Sequence, residues 1–155
     1  MEHRVILVDT SAWVEYLRDT DDPVVGELKS LIQAGAELAT SEPIIMELLA
    51  GADTPLRDAA ITRLTNGLPL LSVDTALDYR AAAQLFVASR AAGHRIRSLN
   101  DCLIAAIAVR HGVPLLHRDR DFAYLAQVTP LRLHTVGVQR PPAASRSTAA
   151  AARAT

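Results

Sequence analysis

Apolar positions come in two rhythms along this chain, short continuous runs and helical spacings, and the two alternate. Val5-Ile6-Leu7-Val8 is continuous and β-branched, as a strand buried on both faces of a parallel sheet requires, and Asp9 stands where that strand ends. Trp13, Val14 and Leu17, then Val24, Val25, Leu28, Leu31 and Ile32 before Gly35, recur at helical spacing and predict two amphipathic helices. Residues 37–40 read as a second strand. Ser41-Glu42-Pro43 opens a helix that carries Ile44, Ile45, Met46, Glu47, Leu48 and Leu49, with proline tolerated in its first turn. Beyond Gly51, Leu56, Ala60, Ile61 and Leu64 predict a further helix, residues 68–73 a strand, and residues 76–92 an alanine-rich helix stopped by Gly93. Ser98 opens a helix over 99–110 that is apolar nearly all round and ends at His111-Gly112. Residues 114–117 then read as a strand, 122–128 as a short helix and 131–136 as a last, edge strand.

Strand and helix in alternation predict an α/β fold, a three-layer α/β/α sandwich around a mostly parallel central sheet of four or five strands, with ligands at the carboxyl ends of the strands. The 155 residues, half of them apolar, suffice for one well-packed domain, placed at residues 1–139. Residues 140–155 differ in kind: two prolines and Arg140, Arg146 and Arg153, with no acid and no large apolar side chain, read as a disordered tail. No apolar run is long enough to span a bilayer, and one cysteine, Cys102, provides neither a disulfide framework nor a multi-cysteine zinc site, so a reducing, cytoplasmic setting is expected. Sixteen basic against seventeen acidic residues leave no overall charge for attracting nucleic acid, so any such affinity must be local.

The acids then change the picture. Asp9 has an ordinary reading as a helix N-cap, and Asp101 as the fourth position of a capping box begun by Ser98. Glu47 is harder to place, because its neighbours Ile45, Met46, Leu48 and Leu49 are apolar and a buried carboxylate needs an ion pair or a metal. Asp119 and Asp121 lie two apart just beyond a strand, where a solvated charge run with Asp121 capping the next helix is the simple alternative. Taken together, Asp9, Glu47, Asp101 and Asp119 all point to one crevice at the strand ends. Clustered carboxylates repel and resist burial unless hard cations neutralise them, and oxygen-only ligands select Mg²⁺ or Mn²⁺. Such ions activate water and stabilise a leaving oxygen in phosphodiester hydrolysis.

The block Val8-Asp9-Thr10-Ser11-Ala12-Trp13, the block Glu47-Leu48-Leu49-Ala50-Gly51, the run from Asn100 to Ala106 and Arg118-Asp119-Arg120-Asp121-Phe122 resemble, in order and spacing, the motifs of PIN-domain toxins of the VapC type. The resemblance covers about residues 4 to 136. It implies a PIN-like fold, Mg²⁺- or Mn²⁺-dependent endoribonuclease activity on RNA, homodimerisation and neutralisation by a cognate antitoxin. It makes Asp9, Glu47, Asp101 and Asp119 the acidic set, with Asp121 as the alternative fourth acid, directly or through water, and with Ser11 or Asn100 supporting by hydrogen bonds. Where the family commonly has threonine or serine two residues before the fourth acid, this chain has His117, read as a packed side chain or a support to the site.

RNA requires cations to offset its phosphates, and Arg95, Arg97, Arg110, Arg118 and Arg120 are the candidates near the acidic motifs. Cys102 and the other histidines read as structural. Three other readings compete. An aspartyl-phosphate phosphatase needs a second aspartate where Ser11 stands, a receiver-like domain needs a late lysine where Lys29 is misplaced, and a catalytically silent Mg²⁺-binding interaction domain would not require all four acids.

Overall fold

The first apolar run becomes β1, Ile6–Val8, with all three residues buried, and it is the middle strand of the sheet. The computed structural model describes residues 4–137; the expected tail from Arg140 lies outside them. After β1, Asp9 caps α1 (Thr10–Leu17) and Asp22 caps α2 (Pro23–Gln33), each carboxylate accepting a backbone N–H two residues on. β2 (Leu38–Ala39) follows, then α3 (Glu42–Ala50) and α4 (Pro55–Asn66), both with proline in the first turn, and α5 (Asp78–Ala91). The expected start of α5 at Ala76 moves inward because the Asp74 carboxylate takes the N–H groups of Ala76 and Leu77 and holds them in a turn. α6 (Leu99–His111), β3 (Leu115–Leu116) and α7 (Asp121–Leu125) complete the order.

β1 pairs in parallel with β2 on one side and β3 on the other, in register Ile6 to Leu38 and Leu7 to Leu115. Two further segments touch the sheet through single parallel bridges, Leu70 against Thr40 and Leu133 against Leu115. The outer strands expected at 68–73 and 131–136 are therefore one bridge each. Pro69 has no N–H to donate and Leu70 is exposed, which limits the first to an edge contact. The chain leaves β1 towards β2 and later returns to the other side of β1 as β3. That reversal opens a crevice at the carboxyl ends of β1 and β3.

α6 explains the depth of that crevice. Its residues Asp101 to Ala108 form a continuous buried run, with Ile104 and Ile107 fully enclosed; each such side chain contributes about 1.5 to 3 kcal/mol relative to exposure. Ser98 Oγ accepts the Asp101 N–H at its start, and Gly112, at φ 64°, closes it in the left-handed conformation that a side chain would strain. A two-bonded ion pair clamps α6 to α5: Arg110 donates to Asp78 Oδ1 at 2.8 Å and Oδ2 at 2.9 Å, and to the Ser72 carbonyl at 2.7 Å. This corrects the expectation that Arg110 faces RNA. It lies nine residues beyond Asp101, about 13 Å along the helix, at the opposite end from the acids.

Candidate functional site

Four separate segments deliver the five acids. Asp9 leaves β1 and is buried; Asp101 sits in the first turn of α6; Glu47 lies on α3; Asp119 and Asp121 bracket the turn from β3 into α7. The carboxylate oxygens of Asp101, Asp119 and Asp121 come within 4.8 Å of one another. Asp9 and Glu47 share their electrostatic field: burial first, then Asp9, Asp119, Glu47 and Asp121, pushes the Asp101 carboxyl up to about 8. Burial, opposed by bonds from Ser11 and reinforced by Glu47, pushes Asp9 up to about 6.

Asp9 performs both roles that its position allows. Its Oδ2 accepts the Ser11 N–H at 2.9 Å and the Ser11 hydroxyl at 2.6 Å, as a cap does, while its Oδ1 is buried with no partner among the described residues. Ser11 Oγ in turn accepts the Arg118 N–H at 2.9 Å and so ties the ends of β1 and β3 together. Asp101 is only half a capping box. Its N–H is bonded by Ser98 at 3.2 Å, but its carboxylate accepts no hydrogen bond from the described residues. Glu47 is half-buried and takes a short hydrogen bond from the Thr10 hydroxyl. Thr10 is a site residue that the sequence reading passed over; its position next to Asp9 was the available signal.

Three expectations change, for Asp121, Asn100 and Arg118, and one, the packing of His117, holds. Asp121 does not cap α7; the bond runs the other way, from the Asp121 N–H to Asp119 Oδ1 at 3.0 Å, and the Asp121 side chain is buried in the cluster. Asn100 makes no hydrogen bond to an acid among the described residues, and its buried Nδ2 has no partner there, so the support expected from it is not made. Arg118 donates to Asp22 at the start of α2 and is held there as a structural pair. His117 is packed against Phe122, with ring centroids 5.3 Å apart, and its Nδ1 accepts the Asp119 N–H at 3.2 Å; burial lowers its pKa and favours the neutral ring. Arg95, Arg97 and Arg120 are exposed near the acids, and no acid pairs with them among the described residues. Cys102 is fully buried, and burial followed by Asp101 pushes its thiol up to about 11, so it is an inert core side chain.

The donor set suits a hard divalent cation. It is all carboxylate oxygen, it includes a buried oxygen and a carboxylate with no donor facing them, and its mutual repulsion is what a cation would relieve.

Comparison with known proteins identifies the family. The family model described as PIN domain matches residues 6–128. The chain is 50% identical over 129 residues to ribonuclease VapC11 of Mycobacterium tuberculosis, covering 83% of this chain and 96% of that protein. It is equally similar to VapC ribonuclease Mb1587 of Mycobacterium bovis, with the same coverage. Among solved structures it superposes on a chain of VapBC2 from Rickettsia felis bound to a promoter DNA fragment, with a TM-score of 0.65 at 17% identity, over 84% of this chain and 97% of that one.

Proposed function

The chain belongs to the PIN-domain family, in its VapC ribonuclease branch, and on that premise we propose that it is a Mg²⁺- or Mn²⁺-dependent endoribonuclease acting as the toxin of a toxin–antitoxin pair. The observation that carries the reading is the meeting of Asp101, Asp119 and Asp121 at metal-ligand spacing beside the partnerless oxygen of Asp9. Asp101, Asp119 and Asp121 would hold the cation, and Asp9 and Glu47 would add their negative charge to the same field. When bound, a divalent cation supplies charge neutralisation and Lewis-acid polarisation for phosphodiester hydrolysis.

The chain's own residues do the positioning. Ser11 fixes the Asp9 carboxylate by two bonds and leaves the second oxygen free. Thr10 holds Glu47 against α1, which keeps this carboxylate facing the crevice. The Asp119 carboxylate holds the turn that delivers Asp121, so the two acids move as one unit. At neutral pH a carboxyl pushed up to about 8 carries a proton in the metal-free protein, and Asp101 must release it when a cation arrives.

An inhibitory protein partner is part of the same reading. It is supported by a groove of about 490 Å³ lined by Val14, Leu17, Leu48, Ala52 and Ile61 and bounded by Glu47, so that a chain lying in it reaches the acids. Leu17, Met46 and Leu56 are exposed on the same helices and suit apolar association, whether with that partner or with a second copy in a homodimer. Among the described residues no helix is long and apolar enough to cross a membrane.

The test is to map cleavage ends in total cellular RNA after expression of the wild type and of Asp101→Asn. Discrete ends produced by the wild type and absent with the variant are expected. Ends produced equally by both would remove Asp101 from the reaction.

A further inference from the structure

Of the five arginines that sequence placed near the acids, two are engaged in structural pairs, while Arg95, Arg97 and Arg120 line one cavity of about 510 Å³ together with His94, Asp121 and Tyr124. In it His94 and Tyr124 are stacked, with ring centroids 4.4 Å apart and an angle of 15° between the planes. Gln127 Oε1 lies 3.2 Å from His94 Nε2 and fixes the ring further, and the His94 N–H is held by the Ser89 carbonyl at 2.8 Å.

We propose that this cavity is a nucleotide subsite in which a base of single-stranded RNA stacks on the His94–Tyr124 pair while Arg95, Arg97 and Arg120 hold the flanking phosphates. The inference deepens the ribonuclease reading and rests on it. Three observations converge. A base needs a flat aromatic surface, and single-strand readers combine such surfaces with a cationic track. The three guanidiniums are exposed with no acid paired to them among the described residues, whereas Arg110 and Arg118 are neutralised. Finally, the platform and the acids share a helix: Asp121 opens α7 and Tyr124 follows three residues later on the same face. A base held on Tyr124 is thus in fixed register with the carboxylate cluster. The Arg97 backbone N–H faces Asp121 Oδ2 at 3.5 Å, so the cationic wall directly adjoins the acids.

The trough continues beyond the stacked pair. A neighbouring cavity of about 660 Å³ shares His94, Arg95 and Arg97 and is floored by Phe86 with the Arg90 guanidinium 4.4 Å above its ring. A flat guanidinium over an aromatic ring is a second surface for stacking. The strand therefore has a path leading away from the acids along α5.

The test is binding of a fluorescently labelled 12-nucleotide single-stranded RNA of mixed sequence, in EDTA so that it is not cut, with Mg²⁺-dependent cleavage followed in parallel and thermal melts confirming the fold. Tyr124→Leu should weaken binding about tenfold, Tyr124→Phe should stay within about twofold of wild type, and His94→Leu should follow Tyr124→Leu. Arg97→Gln should flatten the dependence of log affinity on log salt by about 0.7, the value for one lost phosphate contact on a single strand. A duplex of the same sequence should bind more weakly than the single strand. If both leucine variants bind like wild type while wild type still cleaves RNA, the subsite is overturned and the nuclease reading stands. If the variants lose affinity but no protein cleaves RNA, the stacking site stands and the nuclease reading falls. If wild type neither binds nor cleaves RNA, both are overturned.

Discussion

At Asp101 two costs add, loss of water and the company of four other carboxyl groups, and both act only on the charged form. With an ordinary value of 3.8 in the unfolded chain and about 8 in the fold, the metal-free folded state binds more protons than the unfolded one throughout that window. Stability is therefore fullest below about pH 4 and is lost progressively as pH rises to about 8; Asp9 adds a smaller loss that is complete by about pH 6. In EDTA the melting temperature of wild type should fall from pH 5 to pH 8. Asp101→Asn should lie well above wild type at pH 8, by an amount on the order of a few kcal/mol, with the gap much smaller at pH 5 and closing near pH 4. Saturating Mg²⁺ should reverse the order at pH 8, because only wild type gains full binding energy. A wild-type melting temperature that is flat in pH would mean that Asp101 is not crowded.

The fourth acid is a residue-scale question that the chain's spelling left open. Aspartates two apart after a strand fit a ligand with a cap or two ligands equally well, and only the direction of the hydrogen bond separates them. The N–H of Asp121 donates to Asp119, and Asp121 itself is buried. Asp121→Asn should therefore reduce metal-dependent RNA cleavage as severely as Asp119→Asn, measured as initial rates at saturating Mg²⁺. Near-normal activity in Asp121→Asn would return it to a structural role.

At the scale of elements, helices were more legible than strands. The apolar all-round run from Leu99 announced a deep helix with a serine cap and a glycine stop, and α6 has both. The flanking strands were over-read because a run such as 68–73 shows its apolar rhythm but not its hydrogen-bond partner, and here each edge makes one bridge. Arg110 was misplaced for a related reason: closeness in sequence to Asp101 is distance along a helix axis. Its work is to neutralise Asp78, which is 2% exposed at the side chain and is kept below the usual carboxylate range by the guanidinium although burial would raise it. Arg110→Ala should cost about 2 to 4 kcal/mol, discounted for the partial exposure of the arginine, without changing RNA affinity. Denaturant melts and RNA titrations on the same variant check both halves. A variant of unchanged stability would show that the clamp is not needed to hold α5 on α6.

At the scale of the whole molecule, the sheet order determines the function. Because β1 lies between β2 and β3, the ends of β1 and β3 flank one crevice, and α3 and α6 bring Glu47 and Asp101 to it. The candidates were readable from Asp9 and Asp119 after strands, Asp101 at a helix start and Glu47 among apolar neighbours in a helix. The hydroxyl tethers from Thr10 and Ser11 and the aromatic-basic trough beyond Asp121 were not, since they depend on contacts between elements far apart in the chain. The central claim is that the acids act as one cation-dependent hydrolytic site, and single-turnover cleavage of a single-stranded RNA titrated with Mg²⁺ tests it most directly. Wild type should be inactive in EDTA and rise saturably with Mg²⁺, with Mn²⁺ substituting, and Asp101→Asn should be slower by more than about a hundredfold at any metal concentration. Cleavage that persists in EDTA, or an Asp101→Asn rate equal to wild type, would contradict it.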